Sequence, residues 1–93
     1  MSFEVIEIID GGTFIIRPNW NWNDESGNIV RPVGYNPPEP DDLDFESVKE
    51  KLDNLLFSES VDLVDQVKLS YGRLLCTVLL KGQDIAEYFP EYQ

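Results

Sequence analysis

Apolar and polar positions fall into two different rhythms along this chain. Phe3–Ile9 (FEVIEII) is rich in β-branched and aromatic residues and predicts a first strand. Asp10-Gly11-Gly12 supplies turn chemistry, because aspartate bonds its own backbone and glycine accepts positive φ. Thr13–Arg17 (TFIIR) then resumes as a second strand, which makes Phe3–Pro18 a hairpin. Asn19–Gly27 reads as a polar loop interrupted by Trp20 and Trp22, and Asn28–Tyr35 as a third strand. Pro37, Pro38 and Pro40 stiffen the connection that follows, since proline has no N–H for a sheet ladder. The period then changes from two to about 3.6. Phe45, Val48, Leu52, Leu55 and Leu56 fit one face of an amphipathic helix over Phe45–Phe57, with Asp44 as N-cap and Glu46 suiting the helix dipole. Val61–Leu69 predicts a fourth strand, and Ser70-Tyr71-Gly72-Arg73 a tight turn. Leu74–Leu80 (LLCTVLL) predicts a fifth strand, apolar on both faces and therefore central. Gln83–Phe89 reads as a short helical turn packing Ile85 and Phe89.

Three strands, one helix, two strands and a terminal turn give a mainly β domain with one main helix. This is the element order of a five-stranded Greek-key barrel, the OB-fold, with the helix between strands three and four. The helix's apolar face would plug one barrel end, while closure removes exposed sheet edges. Ninety-three residues, residues 1–93, are expected to form a single domain around one core. The hydrophobic share of 42% is ample for that core and excludes global disorder.

Charge narrows the function classes. Eighteen acids against seven bases give a net −11 with no histidine, so the chain as a whole repels a polyanion and lacks the commonest general base and metal ligand. Single-stranded nucleic acid or a nucleotide would need a local basic site drawn from Arg17, Arg31, Lys68, Arg73 and Lys81. No apolar run is long enough to cross a bilayer, and no secretory leader is legible at Met1–Val5, so no membrane partner and a cytoplasmic location are expected. The lone cysteine, Cys76, reads as a buried small hydrophobe.

The candidate chemistry centres on Asn28–Glu39 (NIVRPVGYNPPE), where Arg31 sits in an apolar strand and Glu39 on a rigid turn, two opposite charges aimed at one site. Trp20 and Trp22, spaced by two, either cover an open barrel end or form a base-stacking platform. Asp41, Asp42 and Asp44 suggest a hard-cation site or a solvated cap region.

Taken together, Asp10-Gly11-Gly12-Thr13 after a strand, Arg31 with Asn36-Pro37-Pro38-Glu39 following, Tyr71-Gly72-Arg73-Leu74 before the last strand, and Asp84-Ile85-Ala86-Glu87 resemble the staphylococcal nuclease (thermonuclease) family. The resemblance implies an OB-fold and Ca²⁺-dependent hydrolysis of DNA and RNA phosphodiesters. It implies that Arg31 and Arg73 clamp the scissile phosphate as guanidinium forks, and that Glu39 positions or deprotonates the attacking water. Tyr35 and Tyr71 become the nucleic-acid-binding candidates, with Trp20 and Trp22 as further exposed aromatics.

The chain departs from the family's pattern where calcium would bind. Gly12 and Asn36 stand where that pattern has carboxylates, leaving Asn36 as a neutral metal ligand and Gly12 with none. The further helices that members carry after the last strand are not in this sequence, so a covering chain, self-association or a compact variant is expected. Two readings follow. In one, a nuclease-like hydrolase works with Arg31, Glu39 and Arg73 and impaired or lost calcium chemistry. In the other, a non-catalytic OB barrel binds or scaffolds a protein or nucleotide partner, and Arg31, Glu39 and Arg73 form a structural ion network.

Overall fold

The computed structural model describes residues 2–93. Its elements are β1 (Ser2–Asp10), β2 (Thr13–Trp22), β3 (Glu25–Pro32), α1 (Phe45–Leu56), β4 (Ser60–Ser70), β5 (Arg73–Leu80) and a two-residue β6 (Gln83–Asp84), followed by 3₁₀ turns at Ile85–Tyr88 and Pro90–Tyr92. The hydrogen-bonded order runs β3-β2-β1-β4-β5-β6, and a parallel β3–β5 pairing closes the first five strands into a barrel. With α1 between the third and fourth strands, this is an OB-like barrel.

The inward positions are the alternating apolar ones. Val5 on β1, Phe14 and Ile16 on β2, Val30 on β3, Val61 on β4, and Leu74, Cys76 and Val78 on β5 are all fully buried. Each such side chain contributes about 1.5–3 kcal/mol by leaving water. Helix α1 presents Val48, Leu52 and Leu56, spaced by four, as one buried stripe. After the helix Ser58 takes positive φ, its N–H donates to the Val5 carbonyl, and the Val5 N–H donates to the Glu59 carbonyl, which hands the chain directly to β4 beside β1. Among the described residues, no helix is long and apolar enough to cross a membrane.

Several local expectations need correction. Asn19–Gly27 is not a loop: β2 continues through Pro18 to Trp22, and Trp20 pairs with Gly27 and Trp22 with Glu25 across a two-residue turn. Asn23 and Asp24 both take positive φ there, which these two residue types tolerate and which matches strand twist. The ladder shifts register between Ile15 and Trp20, around Pro18, which has no N–H to donate. Trp20 is 3% exposed, donates its indole N–H to the Ile29 carbonyl at 2.9 Å, and lies over Gly27, where a Cβ would stand 2.7 Å from its ring. It is therefore core, not an exposed aromatic.

The third strand ends at Pro32 rather than Tyr35, and Gly34, with φ of +105°, turns the chain inward. Asp44 does not cap α1 with its side chain; its Oδ2 accepts instead from the Tyr92 hydroxyl at 2.9 Å. The terminal segment begins as strand β6 before becoming 3₁₀, with Asp84 capping the turn by accepting from the Ala86 N–H. Ile85 and Phe89 are buried as the sequence suggests.

Candidate functional site

Arg31 and Arg73 meet across the one parallel seam of the barrel. In that seam Ile29 pairs with Arg73 and Arg31 with Leu75. Because strand side chains alternate, Val30 and Pro32 on β3 and Leu74 and Cys76 on β5 point into the core. Arg31, Arg73 and Leu75 share the opposite face. The proline-stiffened connection returns over this face and brings Glu39 to it. The result is a cavity of about 380 Å³ lined by Asp10, Arg31, Glu39 and Arg73, with Phe45, Leu75 and three prolines (Pro37, Pro38, Pro40) as its apolar wall.

Each polar group is held from behind. Asp10 Oδ1 accepts from the Gly12 N–H at 2.8 Å, which fixes the β1–β2 turn. Arg31 Nη1 donates to the Gly12 carbonyl at 3.3 Å, and Arg73 Nε to the Ser70 carbonyl at 3.2 Å. Glu39 sits in a turn closed twice by Asp42: its N–H donates to Asp42 Oδ2 at 2.8 Å, and its carbonyl accepts from the Asp42 N–H at 2.9 Å.

Among the described residues the one carboxylate–cation pair is Arg17–Glu4, exposed on the surface at 2.8 Å. Arg31 and Arg73, both half-buried, thus have no carboxylate partner, and the structural ion network that would join them to Glu39 is not formed. In a chain of net −11, Arg31 and Arg73 bring two unpaired guanidinium groups to one cavity, where Asp10 and Glu39 balance their formal charge.

The remaining expected site residues lie elsewhere. Tyr35 is 4% exposed, donates its hydroxyl to the Gly11 carbonyl at 2.8 Å and stacks on Phe89 at 4.6 Å between ring centroids. Burial raises its pKa above the ordinary tyrosine value, and the ring is sealed in the core, out of reach of a base. Tyr71 is 96% exposed at the β4–β5 turn, two residues before Arg73, and is not part of the cavity wall. It holds φ of +53°, a left-handed conformation that non-glycine residues rarely adopt. Trp22 is half-buried at the β2–β3 tip, in a separate shallow depression.

Asn36 lines two neighbouring cavities and not the one between the arginines; its backbone N–H donates to the Tyr92 carbonyl at 2.7 Å. Gly12 lies beneath Arg31. A Cβ built there would press on Arg31 Nη1 and stand 2.5 Å from Pro37 Cγ, so guanidinium and proline ring already fill the space of a side chain at position 12. Two carboxylates, Asp10 and Glu39, face the cavity together with two cations. Among the described residues no group of three or more acidic or cysteine side chains converges to hold a metal. Ca²⁺ takes six to eight oxygen ligands, and this donor set does not fit it.

In the sequence Asp10 reads as a turn residue, Phe45 as a helix residue and Leu75 as part of a central strand, none of them at a site. The signal for Leu75 was present in the alternation of Leu74–Leu80, which puts it on the same face as Arg73. Comparison with protein-family models and with curated proteins finds no match for this chain.

Proposed function

We propose that this chain is a staphylococcal-nuclease-like OB barrel that keeps the two-arginine phosphate clamp but has lost metal-dependent hydrolysis, and that it serves as a binding module for a nucleotide phosphate. The observation that carries the reading is the convergence of Arg31 and Arg73, neither paired to a carboxylate, on one cavity with Glu39. Planar guanidinium forks from neighbouring strands suit a tetrahedral oxyanion, each offering paired N–H donors. The apolar wall of Phe45, Leu75 and the prolines suits the flat or carbon-rich part of a small ligand. The −11 charge opposes a long polyanion track and favours a short or single nucleotide.

Glu39 stands where a water-activating carboxylate would be useful, yet without a metal site the attacking and leaving oxygens lack that electrostatic support. The test is cleavage of heat-denatured DNA in Ca²⁺ and in EDTA, alongside binding of adenosine 5′-monophosphate. Binding without cleavage supports the reading. Ca²⁺-dependent cleavage that Arg73→Ala abolishes would replace it with an active nuclease.

A further inference from the structure

We propose that the groove between the proline-stiffened connection and the C-terminal 3₁₀ turn is a docking site for an extended segment of another protein that carries arginine beside an apolar residue. The proposal stands apart from the phosphate reading, although the groove and the arginine cavity share the Pro37–Glu39 wall.

The groove encloses about 570 Å³, more than the cavity between the arginines. Pro37, Pro38, Leu43 and the Tyr92 ring supply its apolar lining. Leu43 is fully exposed, so a large aliphatic side chain stands in water at the edge of a concave apolar surface. Covering it with an apolar residue of a partner is favourable.

The groove is shaped before anything binds. Tyr92 holds both ends of the connection that forms it: its carbonyl accepts from the Asn36 N–H at 2.7 Å, and its hydroxyl donates to Asp44 Oδ2 at 2.9 Å. Between those ends the Glu39–Asp42 turn is closed by two hydrogen bonds, and Pro37, Pro38 and Pro40 restrict the backbone. A partner therefore meets a rigid surface and pays little to order it.

Charge selects the partner. Glu39, Asp42 and Asp44 line the groove, none of them with an ion-pair partner among the described residues, and no basic side chain lines it with them. The neighbouring cavity sets two carboxylates against two arginines, whereas here three carboxylates face no cation. They do not converge to hold a metal ion. Asp42 and Asp44 each commit one oxygen within the loop and keep the other. A guanidinium suits this arrangement, because its planar fork spans separated carboxylate oxygens and stacks on aromatic faces. A second copy of the chain, at net −11, is repelled.

An amide NMR titration with the peptide acetyl-Leu-Arg-Leu-Arg-amide, run beside its citrulline counterpart, tests this. Citrulline keeps the shape of arginine and lacks its charge. Shifts at Asn36, Leu43, Asp44 and Tyr92 are expected with the arginine peptide, and binding weaker by about tenfold with citrulline. Leu43→Ser alters a side chain wholly in solvent, so it is expected to fold as the parent does and to bind about tenfold more weakly. The double variant Asp42→Asn, Asp44→Asn keeps an acceptor oxygen for the Glu39 N–H and the Tyr92 hydroxyl. It is expected to lose a similar factor in dilute salt and less in concentrated salt. Equal binding of the two peptides would overturn the charge argument. Absence of shifts at the groove would overturn the site. Shifts of the same amides on raising protein concentration without peptide would make a second copy the occupant and overturn the partner.

Discussion

Arg31 and Gly12 form one unit: the guanidinium donates to the glycine carbonyl at 3.3 Å and lies where a side chain on that glycine would begin. Adding a methyl group in Gly12→Ala forces Arg31 aside and presses on the Pro37 ring. The expected cost is about 1–3 kcal/mol from overpacking. For a domain of this size that corresponds to a melting temperature lower by roughly 4–8 °C per kcal/mol. Gly12→Asp carries the same clash, so replacing the glycine with a carboxylate is expected to destabilise the barrel and not to create tight calcium binding. A Gly12→Asp protein as stable as the parent would contradict this packing.

Tyr35 and Gly11 supply a second test. The buried hydroxyl donates to the Gly11 carbonyl at 2.8 Å, so Tyr35→Phe leaves that carbonyl without its partner. The expected loss is about 1–3 kcal/mol in urea unfolding, the usual penalty for an unsatisfied buried group. Nucleotide affinity is expected to change little, because the ring stacks on Phe89 in the core and does not line the arginine cavity. A large loss of binding with unchanged stability would return Tyr35 to the site.

Alkaline pH should unfold the barrel through its core. Burial raises the Tyr35 hydroxyl pKa and pushes the Cys76 thiol up from 9.0 to about 12. Both groups are neutral when folded and ionise more readily when unfolded. Their contribution is therefore fully present below the unfolded pKa, about 9–10, and is lost as pH rises towards the folded values. Denaturation midpoints measured from pH 8 upward should fall across that window, less steeply in Tyr35→Phe. At pH 8 a thiol reagent should label Cys76 only as fast as the protein unfolds.

Tyr71 separates backbone strain from ligand contact. Its positive φ is better suited to asparagine, so Tyr71→Asn is expected to stabilise the β4–β5 turn by about 0.5–1 kcal/mol. If the exposed ring stacks a base next to the arginine cavity, the same change lowers affinity for adenosine 5′-monophosphate but not for ribose 5-phosphate. Equal effects on both ligands would remove Tyr71 from base recognition.

The barrel was legible because its signal is redundant: alternating apolar strands, one helix of period 3.6 and glycine-containing turns agree on the same order. The β2–β3 ribbon was hidden for a local reason. Pro18 breaks the strand pattern, and the polar run around Trp20 and Trp22 has no glycine at its turn, which Asn23 and Asp24 make instead. Arg31, Glu39 and Arg73 could be named from their motifs, but their meeting depends on the register of a parallel seam between distant strands, which no local pattern encodes. The same limit misplaced Tyr35. Only the turn at Gly34 reveals that its ring faces the core rather than solvent. Asp44 is a milder case, since its residue type is right for a cap but Tyr92, forty-eight residues away, takes its oxygen.

The most direct measurement is an amide and arginine side-chain NMR titration with adenosine 5′-monophosphate in EDTA. Shifts concentrated on Gly12, Arg31, Glu39 and Arg73, with the Nε–H signals of both arginines moving together, are the expected result. Shifts centred on the Trp22 ribbon, or none at the β3–β5 seam, would contradict the account.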